Sequence, residues 1–228
     1  MNKYFIILNK DEIIFNCLNN QNETLFTQKY ILTNYEPNNL FKELDTFFND
    51  NLIKIEKELN DFIRKIYIII DLENILSASL SIKYHSETEK FNEQKINELL
   101  NILKYQFTKY NNDQKVIHMK VNKLLIDGVE KDFSLFNENF QNLILEVRFE
   151  CLKQQFVHTI KKSVSKYQIS VEKILLANHI RESVQNQSSN IIFMADKILS
   201  GQNKNEVIWI KKKPMKYGFF EKFFNFFN

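Results

Sequence analysis

The sequence predicts an α/β protein in which one module is inserted inside another. Three observations carry this. Short strand-like runs open the chain and return near residue 170, a continuous apolar run at Ile66–Ile70 reads as a strand covered on both faces, and amphipathic helical segments separate the strands. With 228 residues and 44% hydrophobic content, the chain can bury a real core and is not of the disordered class.

Taken in order, Lys3–Leu8, Ile13–Leu18 and Thr24–Leu32 are rich in Ile, Phe and Tyr and separated by polar clusters, which predicts an antiparallel meander. Pro37 opens a helix whose apolar residues Leu40, Leu44, Phe47, Phe48, Ile55 and Leu59 recur at three- and four-residue steps to about Asn60. After the Ile66–Ile70 strand, Leu80–Tyr84 reads as a strand and Asn92–Tyr110 as a helix with Ile96, Leu99, Leu100, Leu103 and Phe107 on one side. Val116–Ile126 is a strand closed by the turn dipeptide Asp127-Gly128, and Leu143–Phe149 is another. Leu152–Tyr167 has helical spacing, Ile169–Leu176 is a strand, and Ala177–Gln187 is helical. Ile191–Leu199 fits a helix stopped by Gly201, or a strand paired with Glu206–Ile210; the helix is preferred. Gln202–Asn205 reads as a flexible joint.

No catalytic constellation emerges. Three Gly and two Pro are too few for a system of glycine-rich phosphate loops, and no nucleotide-binding or nucleophile-elbow motif is present. His85, His118, His158 and His179 share no metal-ligand spacing and read as surface or core residues, so neither metal nor cofactor is expected. Asp71 and Glu73 end the buried strand. They suit either an enzyme's acids or, more commonly, a cap on the next turn. Lys161-Lys162 reads as a solvated helix face. Cys17 and Cys151 form no C-x-x-C and read as free thiols. The opening MNKYFIILNKDEII has too short an apolar run for a signal peptide, and no segment reaches eighteen apolar residues, so a cytosolic body is expected.

The last stretch, KKKPMKYGFFEKFFNFFN, is different. Six of its final ten residues are Phe, and the stretch carries a net charge of +4 against +3 for the whole chain. On a helix, Phe219, Phe220, Phe223, Phe224, Phe226 and Phe227 form one apolar stripe roughly 160° wide. Met215 extends the stripe, and Lys211, Lys212, Lys213 and Lys216 precede it. Aromatic rings at the acyl boundary and ammonium groups at anionic headgroups are what a membrane surface accepts. Ten helical residues span about 15 Å, too short to cross. A helix docked on the protein's own core and a nucleic-acid contact are the rival readings; stacking aromatics for nucleic acid would be spread over a platform rather than packed on one face.

Ile66–Ser183 resembles the bacterial division protein family FtsA, actin-like ATPases. In that family a buried strand leads from subdomain 1A into an inserted subdomain 1C of SHS2 fold, followed by a helix and a strand with H-x-x-P, ending in Asp nine residues after the His. His118 and Asp127 keep this spacing, with Val121 in place of the Pro. The runs Leu143–Phe149, Leu152–Tyr167 and Ile169–Leu176, then Ala177, follow the family's order, and Phe219–Phe227 is similar to its terminal amphipathic helix. The departures are specific. Leu8-Asn9-Lys10-Asp11-Glu12 stands where the family has D-x-G-[ST], the second phosphate loop D-x-G-G-G-T is absent, and too few residues follow Ala177 for the family's second half.

The resemblance therefore implies an actin-like subdomain 1A (1–76 and 168–189), an inserted SHS2-type α+β lobe (77–167), a linker region (190–213) and an amphipathic helix (214–228). It implies a non-enzymatic, peripheral membrane scaffold of cell division on the cytoplasmic side of the inner membrane. Such a scaffold would contact division proteins through the SHS2-like lobe, with room for self-association and no role for nucleic acid. A PilM-like scaffold of a pilus or secretion machine keeps the same fold in another pathway, and a small enzyme using Asp71 and Glu73 is the alternative of a different class.

Overall fold

The computed structural model describes residues 2–32, 37–73, 75–86, 90–131, 139–184, 190–203 and 205–207. The chain opens with β1 (Lys3–Asn9), β2 (Glu12–Leu18) and β3 (Thr24–Ile31), paired antiparallel in sequence order. The helix α1 (Pro37–Leu59) follows, its residues Leu40, Leu44, Phe47, Phe48 and Ile55 buried. It stops where Asn60 turns to a positive φ of 49° and Asp61 N–H donates to the Glu56 carbonyl, a left-handed helix end. β4 (Lys65–Asp71) leads into β5 (Leu76–His85), α2 (Glu93–Tyr110), β6 (Gln114–Ile126), β7 (Val129–Glu130) and β8 (Asn142–Lys153). The chain then runs through α3 (Gln154–Ser165), β9 (Ser170–Leu176), α4 (Ala177–Ser183) and α5 (Ile191–Leu199).

Two sheets result. The first has the order β3-β2-β1-β4-β9, with β4 parallel to both β1 and β9. The Ile66–Ile70 strand and the strand near residue 170 thus lie in one sheet with the N-terminal meander. Alternation along β1 explains its two covered faces. Tyr4, Ile6 and Leu8 pack with α1 and α3, whereas Phe5 and Ile7 pack with α4 and α5. Lys3 on β1 also ion-pairs with the buried Asp196 of α5. The second sheet, β5-β8-β6-β7, is antiparallel and lies between β4 and β9 in sequence. Its inward residues, among them Val147 and Phe149, pack against Ile96, Leu99, Leu100, Leu103 and Phe107 of α2. Asn92 caps α2 by accepting from Lys95 N–H at 2.8 Å. The β6–β7 turn holds Asp127 and Gly128 at φ 49° and 82°, the paired positive values a two-residue hairpin needs.

Several boundaries differ from the sequence reading. β5 begins at Leu76, earlier than Leu80, because the whole run pairs with β8 from Cys151 to Asn142. Leu152 and Lys153 are strand rather than helix, since they pair with Lys115 and Gln114 of β6; the helix starts at Gln154, whose N–H donates to the Asp113 carbonyl. α4 ends at Ser183, and Gln187 lies outside the described residues. Ile191–Leu199 is helical, capped by Asn190. Its strand alternative fails because Glu206 bridges to Lys120 of β6 instead. The described part of Gln202–Asn205 is tied down: Gln202 N–H donates to the Lys197 carbonyl and Val121 N–H to that of Asn205. Among the described residues no helix is long and apolar enough to cross a membrane.

Candidate functional site

The β1–β2 turn is the stretch that the resemblance to FtsA sets against a phosphate loop. Asn9, the last residue of β1, turns its Oδ1 back over the turn and accepts from Asp11 N–H (2.8 Å) and Glu12 N–H (2.7 Å). The Asp11 carbonyl in turn accepts from Leu32 N–H at 2.8 Å. A phosphate cradle needs free backbone N–H groups converging on the anion. Here two of those donors already serve the Asn9 amide, and Lys10 and Asp11 are exposed side chains with no glycine between them.

The second feature is a buried polar joint between the two sheets. β6 carries a bulge between Val116 and His118, which turns His118 toward the end of β9. α4 starts directly after β9 and brings His179 to the same place. The two imidazoles stack, centroids 3.7 Å apart and planes 5° from parallel. Leu176 N–H, at the β9 terminus, donates to His118 Nε2 at 3.0 Å. That bond fixes the tautomer: the ring proton sits on Nδ1, which donates to Glu206 Oε1 at 2.7 Å. Glu206 Oε1 also lies 3.7 Å from His179 Nε2, while His179 Nδ1 lies 3.1 Å from Glu150 Oε2. The Glu150 contact is electrostatic rather than an aligned hydrogen bond. Arg148 completes the chain of charges, 3.0 Å from Glu150 and paired with Glu182 on α4.

Burial and charge set the protonation states. Burial pushes His118 below the ordinary imidazole range, and the hydrogen bond to Glu206 only partly opposes it. Burial works against charge on His179 too, but the carboxylates of Glu150 and Glu206 outweigh it and raise its pKa. The same burial would favour protonated Glu206, yet its hydrogen bond to His118 and the closeness of His179 hold it well below the usual carboxylate range. Glu150 is likewise lowered, against its burial, by His179, Arg148 and His118. The arrangement favours the neutral form of His118 and, beside it, the protonated form of His179 between two carboxylates.

Donor atoms of His118, His179 and Glu206 lie within 4.8 Å of one another, which is the spacing of a metal site. The chemistry of the donors does not fit one. The Nε2 lone pair of His118 is taken by Leu176 N–H and its Nδ1 carries the proton, so no lone pair is left for an ion. Parallel rings 3.7 Å apart also cannot both hold one ion in plane.

The sequence reading treated the four histidines alike. His85 is exposed at the end of β5, 3.3 Å from Asn142, and His158 is exposed on α3. His118 and His179 are the pair it missed. Each follows or interrupts an apolar strand at a buried position, and a buried polar side chain demands a partner, but nothing local names which one. Asp71 is not brought into a cluster of acids. Arg181 of α4 grips it at 3.0 and 2.6 Å, while Glu73 is exposed, 3.9 Å from Lys10. Lys161 and Lys162 are exposed on α3. The proposed membrane contact residues Lys211, Lys212, Lys213, Met215, Lys216, Phe219, Phe220, Phe223, Phe224, Phe226 and Phe227 lie outside the described residues.

No known family model matches the chain, and no curated protein does. Solved structures with a similar outline include the cytoplasmic domain of EpsL, an inner membrane component of the type II secretion system of Vibrio cholerae. That likeness has 9% identity and a TM-score of 0.38, covering 79% of this chain and 57% of that one. A PilM–PilN type IV pilus biogenesis complex matches at 10% identity and a TM-score of 0.44, over 78% of this chain and 48% of that one. Marinitoga piezophila Argonaute in complex with guide RNA matches at 11% identity and a TM-score of 0.25, over 72% of this chain and 26% of that one. The chain spans about half the length of the first two.

Proposed function

We propose that the chain is a non-catalytic scaffold: an actin-like subdomain 1A with an SHS2-type lobe inserted in it, working in a membrane-bound assembly of pilus or secretion type. The observation that carries this reading is the closed β1–β2 turn on a β3-β2-β1-β4-β9 sheet. In the family that the sequence resembles, that turn is the first phosphate loop. Here Asn9 consumes the backbone donors that a nucleotide would need. What remains is a rigid α/β body with a second sheet locked to it, suited to holding proteins together.

Cell division is the reading that the His118-to-Asp127 spacing favours in the sequence. In this chain both residues have structural work that accounts for their positions. His118 is the buried joint, and Asp127 accepts from Asn142 N–H at 2.7 Å and Gln141 N–H at 3.0 Å to close the hairpin region. With that spacing explained locally, a pilus or secretion machine, of the kind to which EpsL and PilM belong, is put ahead of the division apparatus. The basic, Phe-rich stretch 211–228 would hold the scaffold to the inner membrane surface.

Two measurements test the proposal. Equilibrium dialysis with labelled ATP and Mg²⁺ should show no binding; stoichiometric binding at micromolar concentration overturns the non-catalytic reading. Crosslinked capture of the full chain from its own cells should recover inner-membrane components of a pilus or secretion machine. Recovery of division proteins in their place restores the division reading.

A further inference from the structure

The second sheet ends at β5, and among the described residues β8 is the only strand paired with it. That ladder runs through all 10 residues of β5 without a bulge. Edges elsewhere in the molecule are interrupted, charged or occupied. The β2–β3 ladder shifts register between Cys17 and Leu18, and β9 carries Glu172 and Lys173 and shifts against β4 at Ile66/Tyr67. The far edge of β6 is partly taken by β7 and by Asn205 and Val207. β5 has no Pro, Gly or carboxylate, and Lys83 is its one Lys. A long, flat, nearly uncharged edge accepts a further strand unless something blunts it.

Which backbone groups face outward follows from the pairing. Ser86 N–H donates to the Gln141 carbonyl at 3.0 Å, one step beyond the ladder, so the even-numbered residues of β5 bond to β8. The N–H and C=O of Ser77, Ser79, Ser81, Lys83 and His85 point away from it. Side chains alternate too. Ala78, Leu80, Ile82 and Tyr84 pack on the core beneath α2, and the odd-numbered ones are exposed on the opposite face. α2 runs antiparallel above β5, because Lys95 bonds the Tyr84 hydroxyl at 3.0 Å and Phe107 stacks on Phe149, the partner of Ala78. Ile102 lies two turns from Lys95 on the same flank of the helix, which brings it level with Leu80 at the open edge, and it is 41% exposed.

We infer that β5 pairs antiparallel with β5 of a second copy of this chain, about a two-fold axis at Leu80. Opposed residues share a face and only odd-numbered backbone groups face outward, so odd must meet odd. Centring on Leu80 sets Ser79 against the second copy's Ser81 and Ser77 against its Lys83, with Ala78 against Ile82 on the apolar side. The two Lys83 are left at opposite ends, and the two Ile102 meet over the axis and cover one another. The four-stranded sheets of the two copies become one continuous sheet with both α2 helices on the same face. Such a contact uses the same patch on each copy and closes on itself. It does not depend on which assembly the protein serves.

Sedimentation equilibrium of the full-length protein should show a dimer. Leu80→Cys should crosslink it on mild oxidation, since residues opposed at such an axis bring their Cα atoms to about 4.5 Å. Ile82→Cys, offset from its own copy by about 13 Å, should not. The native Cys17 and Cys151 are buried and stay out of the reaction. Ser79→Pro removes an N–H that faces outward, so the fold is kept while the dimer dissociation constant rises about tenfold or more. Ser79→Lys with Ser81→Lys leaves the backbone alone, opposes lysines across the pair, and should dissociate the dimer should the Pro variant fold poorly. A wild-type monomer, a dimer that the edge variants leave intact, or crosslinking at Ile82→Cys rather than Leu80→Cys overturns the inference. So does a monomer whose β5 pairs with a strand of another protein.

Discussion

His118 reaches across from the second sheet and lies flat on His179 of α4, the helix that follows the first sheet's β9, with Glu206 bonded to its far nitrogen. This contact joins three parts of the chain that are distant in sequence, and it is polar where a hydrophobic seam would have served. Its stability therefore depends on pH in two opposed ways.

The signs follow from the directions of the shifts. His118 has a folded pKa below the ordinary imidazole value of 6.5, so its contribution is present above that value and is lost as pH falls from 6.5 through the folded pKa. Glu206 and Glu150, lowered from 4.5, add to the loss on the acid side. His179, raised above 6.5, contributes fully below 6.5 and is lost as pH rises through its folded pKa. Where the folded and unfolded states differ by one proton, stability changes by about 1.4 kcal/mol per pH unit. Urea unfolding from pH 5 to 9, values on the order of those bracketing imidazole titration, should show a maximum. His179→Gln should flatten the alkaline side, and an unchanged alkaline slope in that variant counts against the charged His179.

Glu206→Gln keeps an acceptor for His118 Nδ1 but removes the negative charge beside His179. It should cost about 1–3 kcal/mol in urea unfolding, with Glu206→Ala costing more because His118 then loses its acceptor as well. Hydrogen exchange locates the effect. The Val121 amide, bonded to Asn205, should exchange faster in both variants, whereas the Ile68 amide in the first sheet should not.

Asn9→Ala releases the Asp11 and Glu12 amides from the side chain that now holds them. Two hydrogen bonds at a partly exposed turn predict a loss of about 1–2 kcal/mol. The variant should still fail to bind ATP, because freeing donors does not supply the glycines that let a phosphate approach the backbone. Urea unfolding reads the stability loss, and calorimetric titration with ATP and Mg²⁺ reads the absence of binding.

Asp71 is half of a partly exposed bidentate pair with Arg181. Asp71→Asn should change stability by less than about 1 kcal/mol, as such pairs do. If Asp71 were instead a catalytic acid, the substitution would abolish an activity while leaving the melting temperature alone. Screening both proteins against hydrolase substrates separates the two.

In the tail, Phe220→Asp together with Phe223→Asp puts charge in the middle of the aromatic stripe and should release the protein from anionic liposomes. Glu221→Lys with Asn225→Lys should not. Raising salt should weaken wild-type sedimentation by screening the lysines. If the double Asp protein still sediments, the stretch is not the anchor.

Most of the first sheet was legible because its information is local. Ile66–Ile70 is apolar without interruption, as a strand covered on both faces must be, and Lys3–Leu8 and Ile13–Leu18 are bounded by turn residues. The error at Leu152 has an equally local cause. Leu152, Phe156, Ile160 and Val164 are spaced by four, so the pattern extends the helix backward by a turn that the ladder to Lys115 claims instead. The joint could not be read at all. His118, His179 and Glu206 are brought together by sheet order and a β-bulge, and no periodicity encodes those. Asn9 was visible but its meaning was not, since an Asn after a strand marks a turn without saying which amides its side chain will take.

β8 passes into α3 without a loop, and Gln154 is bonded to Asp113 at the seam. A lobe attached through two slack strings could swing freely. This one is welded along one side and joined to β4 on the other only through the residues between Asp71 and Leu76. The stacked histidines, with Leu176 N–H and Glu206 bonded to His118, tie the two sheets together at a second place, so a force applied to the second sheet is passed to the first through that joint as well as through the chain.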